Sequence, residues 1–457
     1  MALVSREDVT VGIDIGTTAV KAVAADEDGH VTARARIPHR LRVPAPDRLE
    51  HDADEAWRRG PLAALEQLCR SLPQGPKAVA VSAMVPSMTA VDSWGRPITP
   101  GLLYGDSRGR VPAAPEERAQ PLPTAGEATE FLRWTAAQAP HAAGYWPAPA
   151  VGNYALAGEA VIDFATAITT LPLFDGTAWD PAACADCGAS ADRMPRVETF
   201  GVAVGQVHGT SGTDALLATG AIDALCEQIV AGADRDGDAL VMCGTTLIVW
   251  TTVSEARQVP GLWTIPHTAA GKNQIGGASN AGGLFLDWVD HVVGQGDPVV
   301  AHPGRVPVWL PYIRGERTPF HDPDRRAVLD GLDLTHDTAA IRRAAYEASG
   351  FVVRQLIELS GAPVARIVAT GGGTRVRPWM QAIADVIGRP VQVSAVAEGA
   401  ALGAAFLGRM AAGWESSIAD AERWARVARV VEPEPAWADA VEHRYRRFLE
   451  LGASQSA

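Results

Sequence analysis

VTVGIDIGTTAVKAVA, residues Val9–Ala24, decides how this chain is read. Two runs rich in Val, Ile and Ala flank Gly16-Thr17-Thr18, a pattern that predicts strand, turn and strand, that is, a β-hairpin. Glycine lets a backbone approach a ligand closely. Successive N–H groups in such a turn point into one concavity that holds an anion, and threonine hydroxyls add donors. Asp14 stands just before the turn. A carboxylate beside a phosphate is repulsive unless a cation intervenes, and Mg²⁺ is commonly held by one or two carboxylates, water and substrate phosphates. Asp14 is therefore expected on the magnesium side, directly or through water; its plainer role is a strand-end cap. Lys21 is expected either to offset phosphate charge or to be a solvated strand residue.

The second half repeats the pattern. Ala239–Val253 reads as strand, turn and strand around Gly244-Thr245-Thr246. Two such turns facing each other can clamp a polyphosphate. A third glycine turn, Gly371-Gly372-Gly373, follows the apolar strand Ala365–Ala369 and precedes a helix starting near Pro378. It suits the adenosine and α-phosphate side of a nucleotide at a helix N-terminus. No G-x-x-x-x-G-K-[ST] loop is present, and no G-x-G-x-x-G opens a helix after the first strand. The echo of one hairpin in the other indicates an internal duplication. The Asp- and Gly-rich loop Ala233–Asp238 divides the chain into domains 1–235 and 236–457. Strands mixed with helices, with glycine turns at strand ends, give α/β architecture.

Transfer of a phosphoryl group to an alcohol needs a base or orienting group for the attacking hydroxyl. Asp223 follows the apolar run Leu216–Ala221 and opens a helix, so it can project from a strand end, although helix capping is a common task for Asp. Asp214 is the rival, at the start of the same strand and so at the opposite end of the sheet.

Composition narrows the class. An apolar fraction of 47% supports large cores and a globular chain. A net charge of −13 argues against nucleic acid and anionic membranes as main partners. Five cysteines and no visible secretory signal lead to the expectation of reduced thiols in the cytoplasm. Cys184 and Cys187 form a C-x-x-C pair without a second pair at zinc spacing, so two incidental thiols are favoured over a zinc site.

Taken together, VGIDIGTTAVKA, DSWGRPITPGLLYGDSR, ATGAIDALCEQIVAG, VMCGTTLIVW, GGASNAGGLFLDW, LPYIRGERTPFHDP, TGGGTRVRPWMQAIADVIGRPV and EGAALGAAF resemble the FGGY sugar kinases, which include xylulokinase, gluconokinase, glycerol kinase and ribulokinase. The resemblance runs from Val11 to about Gly413. It implies two ribonuclease-H-like domains of the actin/Hsp70-type ATPase fold around a cleft, and phosphorylation of a sugar or polyol hydroxyl with ATP and Mg²⁺. Carried over, it makes Asp14 the magnesium-associated carboxylate and Gly16, Thr17 and Thr18 the first phosphate loop. Gly244, Thr245 and Thr246 become the second; Gly283 lies near the nucleotide and Gly371, Gly372 and Gly373 near the adenosine. Asp223 takes the place of the general base. Asp106 and Arg108 match the sugar-side W-x-D-x-R segment, and the sugar is expected near Met84, Asp106 and Asp223. Departures fall on that side. Tyr104 replaces the Trp, the run Ser82–Ser87 lacks the His usual in xylulokinases, and the stretches Gly109–Glu127 and Ala182–Gly212 are short. A xylulose-like ketose is the expected acceptor. Gluconate or another polyol, or a non-catalytic actin-like nucleotide-binding protein, are the alternatives, and a homodimer is a family-based expectation.

Overall fold

The computed structural model describes residues 8–109, 127–208, 214–268, 271–294, 296–298 and 301–455. Most of the short stretch expected at 109–127, and residues 209–213 of the other, lie outside the described residues. The chain forms two compact units: Met1–Val230 with Glu398–Trp424, and Ala231–Ala397 with Ala425–Ala457.

In the first unit the strands are β1 (Thr10–Ile15), β2 (Ala19–Ala25), β3 (Val31–Pro38), β4 (Arg42–Ala45), β5 (Arg48–His51), β6 (Ala78–Ala83), β7 (Ser87–Val91), β8 (Gly101–Leu103), β9 (Gly144–Trp146), β10 (Val161–Asp163), β11 (Arg196–Glu198), β12 (Ala203–Gln206) and β13 (Leu216–Ala218). The main sheet runs β12-β13-β6-β1-β2-β3, and a smaller one β4-β5-β8-β7-β9. β1 is buried along its whole length, as befits a strand covered on both faces. Its side chains alternate. Val11, Ile13 and Ile15 join a core with Trp57, Leu65, Ala148 and Val151. Thr10 and Gly12 face the helix Gly399–Ala411: the Thr10 hydroxyl donates to the Ala405 carbonyl at 2.7 Å. A Cβ at Gly12 would stand 1.8 Å from the Ala401 carbonyl oxygen. Only glycine admits that approach, and it explains why a helix from late in the chain belongs to the first unit rather than to a contiguous domain 236–457.

The second unit contains β14 (Asp238–Cys243), β15 (Leu247–Val253), β16 (Trp263–Pro266), β17 (Asn273–Ser279), β18 (Val308–Leu310), β19 (Val328–Asp330), β20 (Arg366–Thr370), β21 (Val391–Ser394) and β22 (Val427–Val431). Its sheet, read from the far edge, is β22-β21-β20-β14-β15-β17-β16. In each sheet a central strand pairs antiparallel with its hairpin partner (β1 with β2, β14 with β15) and parallel on its other side (β6, β20). Next come a second parallel strand (β13, β21) and an antiparallel edge (β12, β22). The duplication hinted at by two Gly-Thr-Thr turns is thus a duplication of whole sheets. The helix Thr338–Ser360 buries Ala345, Phe351, Val352 and Leu356 in the second core. Among the described residues, no helix is long and apolar enough to cross a membrane.

Candidate functional site

Strand register places the first unit's polar residues at one sheet edge. Ile15 pairs with Ala83, and Ala83 bridges to Ile222. Asp14 therefore lies one residue before this shared rung and Asp223 one residue after it, two strands and two residues apart, or about 12 Å at ordinary strand spacing and rise. Leu216 pairs with Ala78 at the other end of β6, so the exposed Asp214 sits at the far edge. Asp223 is the first residue of the helix Asp223–Ala231, half-buried, with its Oδ1 2.7 Å from the Ala224 N–H.

Asp14 is only 6% exposed. Lys21, its cross-strand partner, brings Nζ to 3.7 Å from Oδ2, while Oδ1 is buried without a hydrogen-bond partner. Burial raises the Asp14 pKa, and the Lys21 charge opposes the rise. An orphaned carboxylate oxygen beside an N–H-rich turn fits a hydrated Mg²⁺, which needs few protein ligands when phosphates supply the rest. Among the described residues there is no cluster of three or more His, Cys, Asp or Glu able to hold a metal unaided.

The turn itself is braced. The Thr17 hydroxyl lies 2.8 Å from the Tyr104 hydroxyl, and the Thr17 carbonyl lies 2.7 Å from His51 Nε2. Trp57 Nε1–H donates to His51 Nδ1 at 3.0 Å. The indole can only donate and the carbonyl only accept, so His51 is the neutral tautomer with its proton on Nε2. Burial above all, and then the charge of His39, push the His51 pKa down to about 3; burial lowers His39 to about 4.

Asp106 and Arg108 serve each other. The wholly buried Asp106 carboxylate accepts from the Leu49 N–H at 2.7 Å, the Arg108 N–H at 2.9 Å, and the Arg108 guanidinium at 2.7 Å. The guanidinium also reaches Glu50 at 2.7 Å and lies over Trp134. These side chains frame the segment after β8, and Asp106 offers little to a sugar. Met84 is buried in the first core at the end of β6. Cys184 and Cys187 are buried free thiols packed with Met88, Phe131 and Tyr145.

In the second unit, three glycine turns meet at the end of β14. The Gly283 N–H donates to the Gly244 carbonyl at 2.8 Å and the Leu284 N–H to the Thr245 carbonyl at 3.1 Å. A Cβ on Gly282 would stand 2.5 Å from the Leu247 nitrogen, so glycine is required where the helix Gly283–Val293 begins. Cβ atoms on Gly371 and Gly373 would meet the Cys243 carbonyl oxygen at 2.8 and 2.7 Å, whereas Gly372 faces open space. The predicted residues Gly244, Thr245, Thr246, Gly283 and Gly371–Gly373 are thus one assembly, with Gly244 and Gly372 exposed.

Sequence reasoning missed Glu316. This buried carboxylate accepts from Ser279 Oγ at 2.7 Å and from the Asn280 N–H at 2.9 Å, tying the GERTP run to the residues just before Gly282. It also missed the His51–Trp57 brace, which lies in a mostly charged stretch, RLEHDADEAWRR, where nothing marks a buried histidine.

Residues 9–114 match the model of the N-terminal domain of the FGGY family of carbohydrate kinases, and residues 239–412 that of its C-terminal domain. The gluconokinase of Bacillus subtilis (strain 168) is 26% identical, with 88% of this chain and 87% of the relative covered. The xylulose kinase of Escherichia coli (strain K12) is 25% identical, with 89% and 91% covered. The crystal structure of xylulose kinase from Rhodospirillum rubrum superposes with a TM-score of 0.77 at 26% identity, covering 98% of each chain.

Proposed function

Because the chain belongs to the FGGY family of carbohydrate kinases, we propose that it transfers the terminal phosphoryl group of ATP to a hydroxyl of a xylulose-like ketose. The observation that carries this reading is the shared rung Ile15–Ala83–Ile222, which sets a carboxylate with an orphaned oxygen and a second, half-buried carboxylate on one sheet edge.

Each residue then has a task. The N–H groups and hydroxyls of Gly16–Thr18 and Gly244–Thr246 bind phosphate oxygens. Asp14 holds Mg²⁺ directly or through water, and the ion, when bound, offsets phosphate charge. Lys21 limits the repulsion between Asp14 and the phosphates. Asp223 accepts the proton of the attacking hydroxyl and orients its oxygen toward phosphorus. Gly283 and Gly371–Gly373 receive the nucleoside side, with Gly372 leaving the room a base needs. Asp106 and Arg108 shape the acceptor side by holding its backbone, and Met84 contributes apolar backing.

Gluconate is the second reading, favoured by a gluconokinase among the relatives at the same level of identity as the xylulose kinases. ADP release measured over D-xylulose, D-ribulose, D-gluconate and glycerol separates the two. Turnover is expected to be highest with D-xylulose. Highest turnover with D-gluconate selects the second reading, and no acceptor-stimulated release from any of the four contradicts both.

A further inference from the structure

We propose that Tyr104 is a positioning residue for the first phosphate turn: its phenol O–H donates to the Thr17 hydroxyl and so directs the single Thr17 proton toward a bound phosphate. The inference rests on reading Gly16–Thr18 as a phosphate turn. The two oxygens are 2.8 Å apart, with Thr17 7% and Tyr104 6% exposed. A contact between two hydroxyls permits either direction of donation. An anion beside the turn decides between them. If Thr17 donated to Tyr104, its lone pairs would face negative charge; if Tyr104 donates, the Thr17 proton is left for the anion.

The rest of Thr17 is already held. Its carbonyl accepts from His51 Nε2–H at 2.7 Å, and the Trp57 indole fixes that tautomer from 3.0 Å. The Thr17 hydroxyl and carbonyl are therefore both oriented by side chains distant in sequence, which is the preorganisation that makes a donor effective toward developing charge.

The same two strands carry the acceptor-side frame. His51 pairs with Gly101 and Glu50 with Leu102 across β5 and β8. Glu50 holds Arg108 at 2.7 Å, and Arg108 holds Asp106, two residues beyond Tyr104. The phosphate turn and the YGDSR segment are consequently one braced assembly, joined at the Tyr104 hydroxyl.

The test is a double-mutant cycle on the full chain, read as the dissociation constant of a magnesium-bound non-hydrolysable ATP analogue by calorimetry. Tyr104→Phe is expected to weaken binding roughly tenfold, the scale of one hydrogen bond acting on a charged ligand. In a Thr17→Val background, which has no hydroxyl to orient, the same change should cost less than about twofold. In a Thr17→Ser background, which keeps the hydroxyl, the cost should return to roughly tenfold. A merely structural tyrosine would cost the same in both backgrounds, and that result overturns the assignment, as does an unaltered affinity in Tyr104→Phe alone. Should Thr17→Val fail to fold, Thr17→Ala, which also lacks the hydroxyl, takes its place in the cycle, with the same expected cost of less than about twofold. A wild-type chain that binds no nucleotide removes the phosphate-turn reading beneath the proposal, an outcome distinct from a wild-type chain that binds and ignores Tyr104→Phe.

Discussion

Replacing Glu316 by Gln should remove a pH dependence of stability from the protein. Glu316 is 3% exposed, and its carboxylate accepts from Ser279 Oγ, the Asn280 N–H and the Arg317 N–H at 2.7, 2.9 and 2.6 Å. Burial raises its pKa from 4.5 to about 7, against the pull of those three donors and the Arg317 charge. A carboxyl whose pKa is raised on folding binds its proton more tightly in the folded state. Its contribution to stability is complete below about pH 4.5 and is lost as pH rises through about 7. The shift corresponds to about 3 kcal/mol across that window. Glutamine does not titrate, and like the protonated acid it presents one acceptor edge and one donor-bearing edge. The variant should therefore stand close to the wild type at pH 5 and keep its stability to pH 8, while the wild type loses about 3 kcal/mol over that window. Urea unfolding of both proteins at half-unit intervals from pH 5 to pH 8.5 measures this directly. Stability curves that run parallel over the whole range would refute the argument, because they would mean that Glu316 titrates alike in folded and unfolded chains.

Two further outcomes follow from the packing and the orphaned oxygen. Gly12→Ala should destabilise the first unit by about 3 kcal/mol or more, since the new Cβ would stand 1.8 Å from a helix carbonyl; an unchanged urea midpoint would show that the helix Gly399–Ala411 can withdraw without loss. Asp14→Asn should raise the Mg²⁺ concentration for half-maximal turnover by about tenfold or more, and an unaltered magnesium requirement in a metal titration would take Asp14 out of the metal's surroundings.

Much of the fold was legible because its signals are local. Gly16-Thr17-Thr18 and Gly244-Thr245-Thr246 announce their turns by residue type, and the helices Glu127–Gln138 and Thr338–Ser360 begin and end where periodicity places them. The kinase family followed from the combination of blocks. What stayed hidden depends on contacts between distant residues. Nothing near Gly12 in sequence announces the carbonyl of Ala401 that forbids a side chain there. The return of Glu398–Trp424 to the first unit was invisible for that reason. The small sheet β4-β5-β8-β7-β9 contains strands of only three to five residues, too short for alternation to speak. Asp106 and Arg108 were placed on the sugar side by resemblance alone; a buried acid and base two residues apart can satisfy each other, and here they do. The Thr17–Tyr104 bond spans 87 residues, and no pattern in the chain encodes it.

The most direct measurement is rapid-quench transfer of labelled phosphate from ATP to D-xylulose and D-gluconate by the wild type and by Asp223→Asn, with nucleotide affinity recorded alongside. A carboxylate that takes the proton from the attacking hydroxyl should cost about 10²- to 10⁴-fold in the transfer step when neutralised, with nucleotide affinity altered less than about twofold, because Asp223 is assigned to the acceptor rather than to the phosphates. Transfer at close to the wild-type rate by Asp223→Asn would contradict the account.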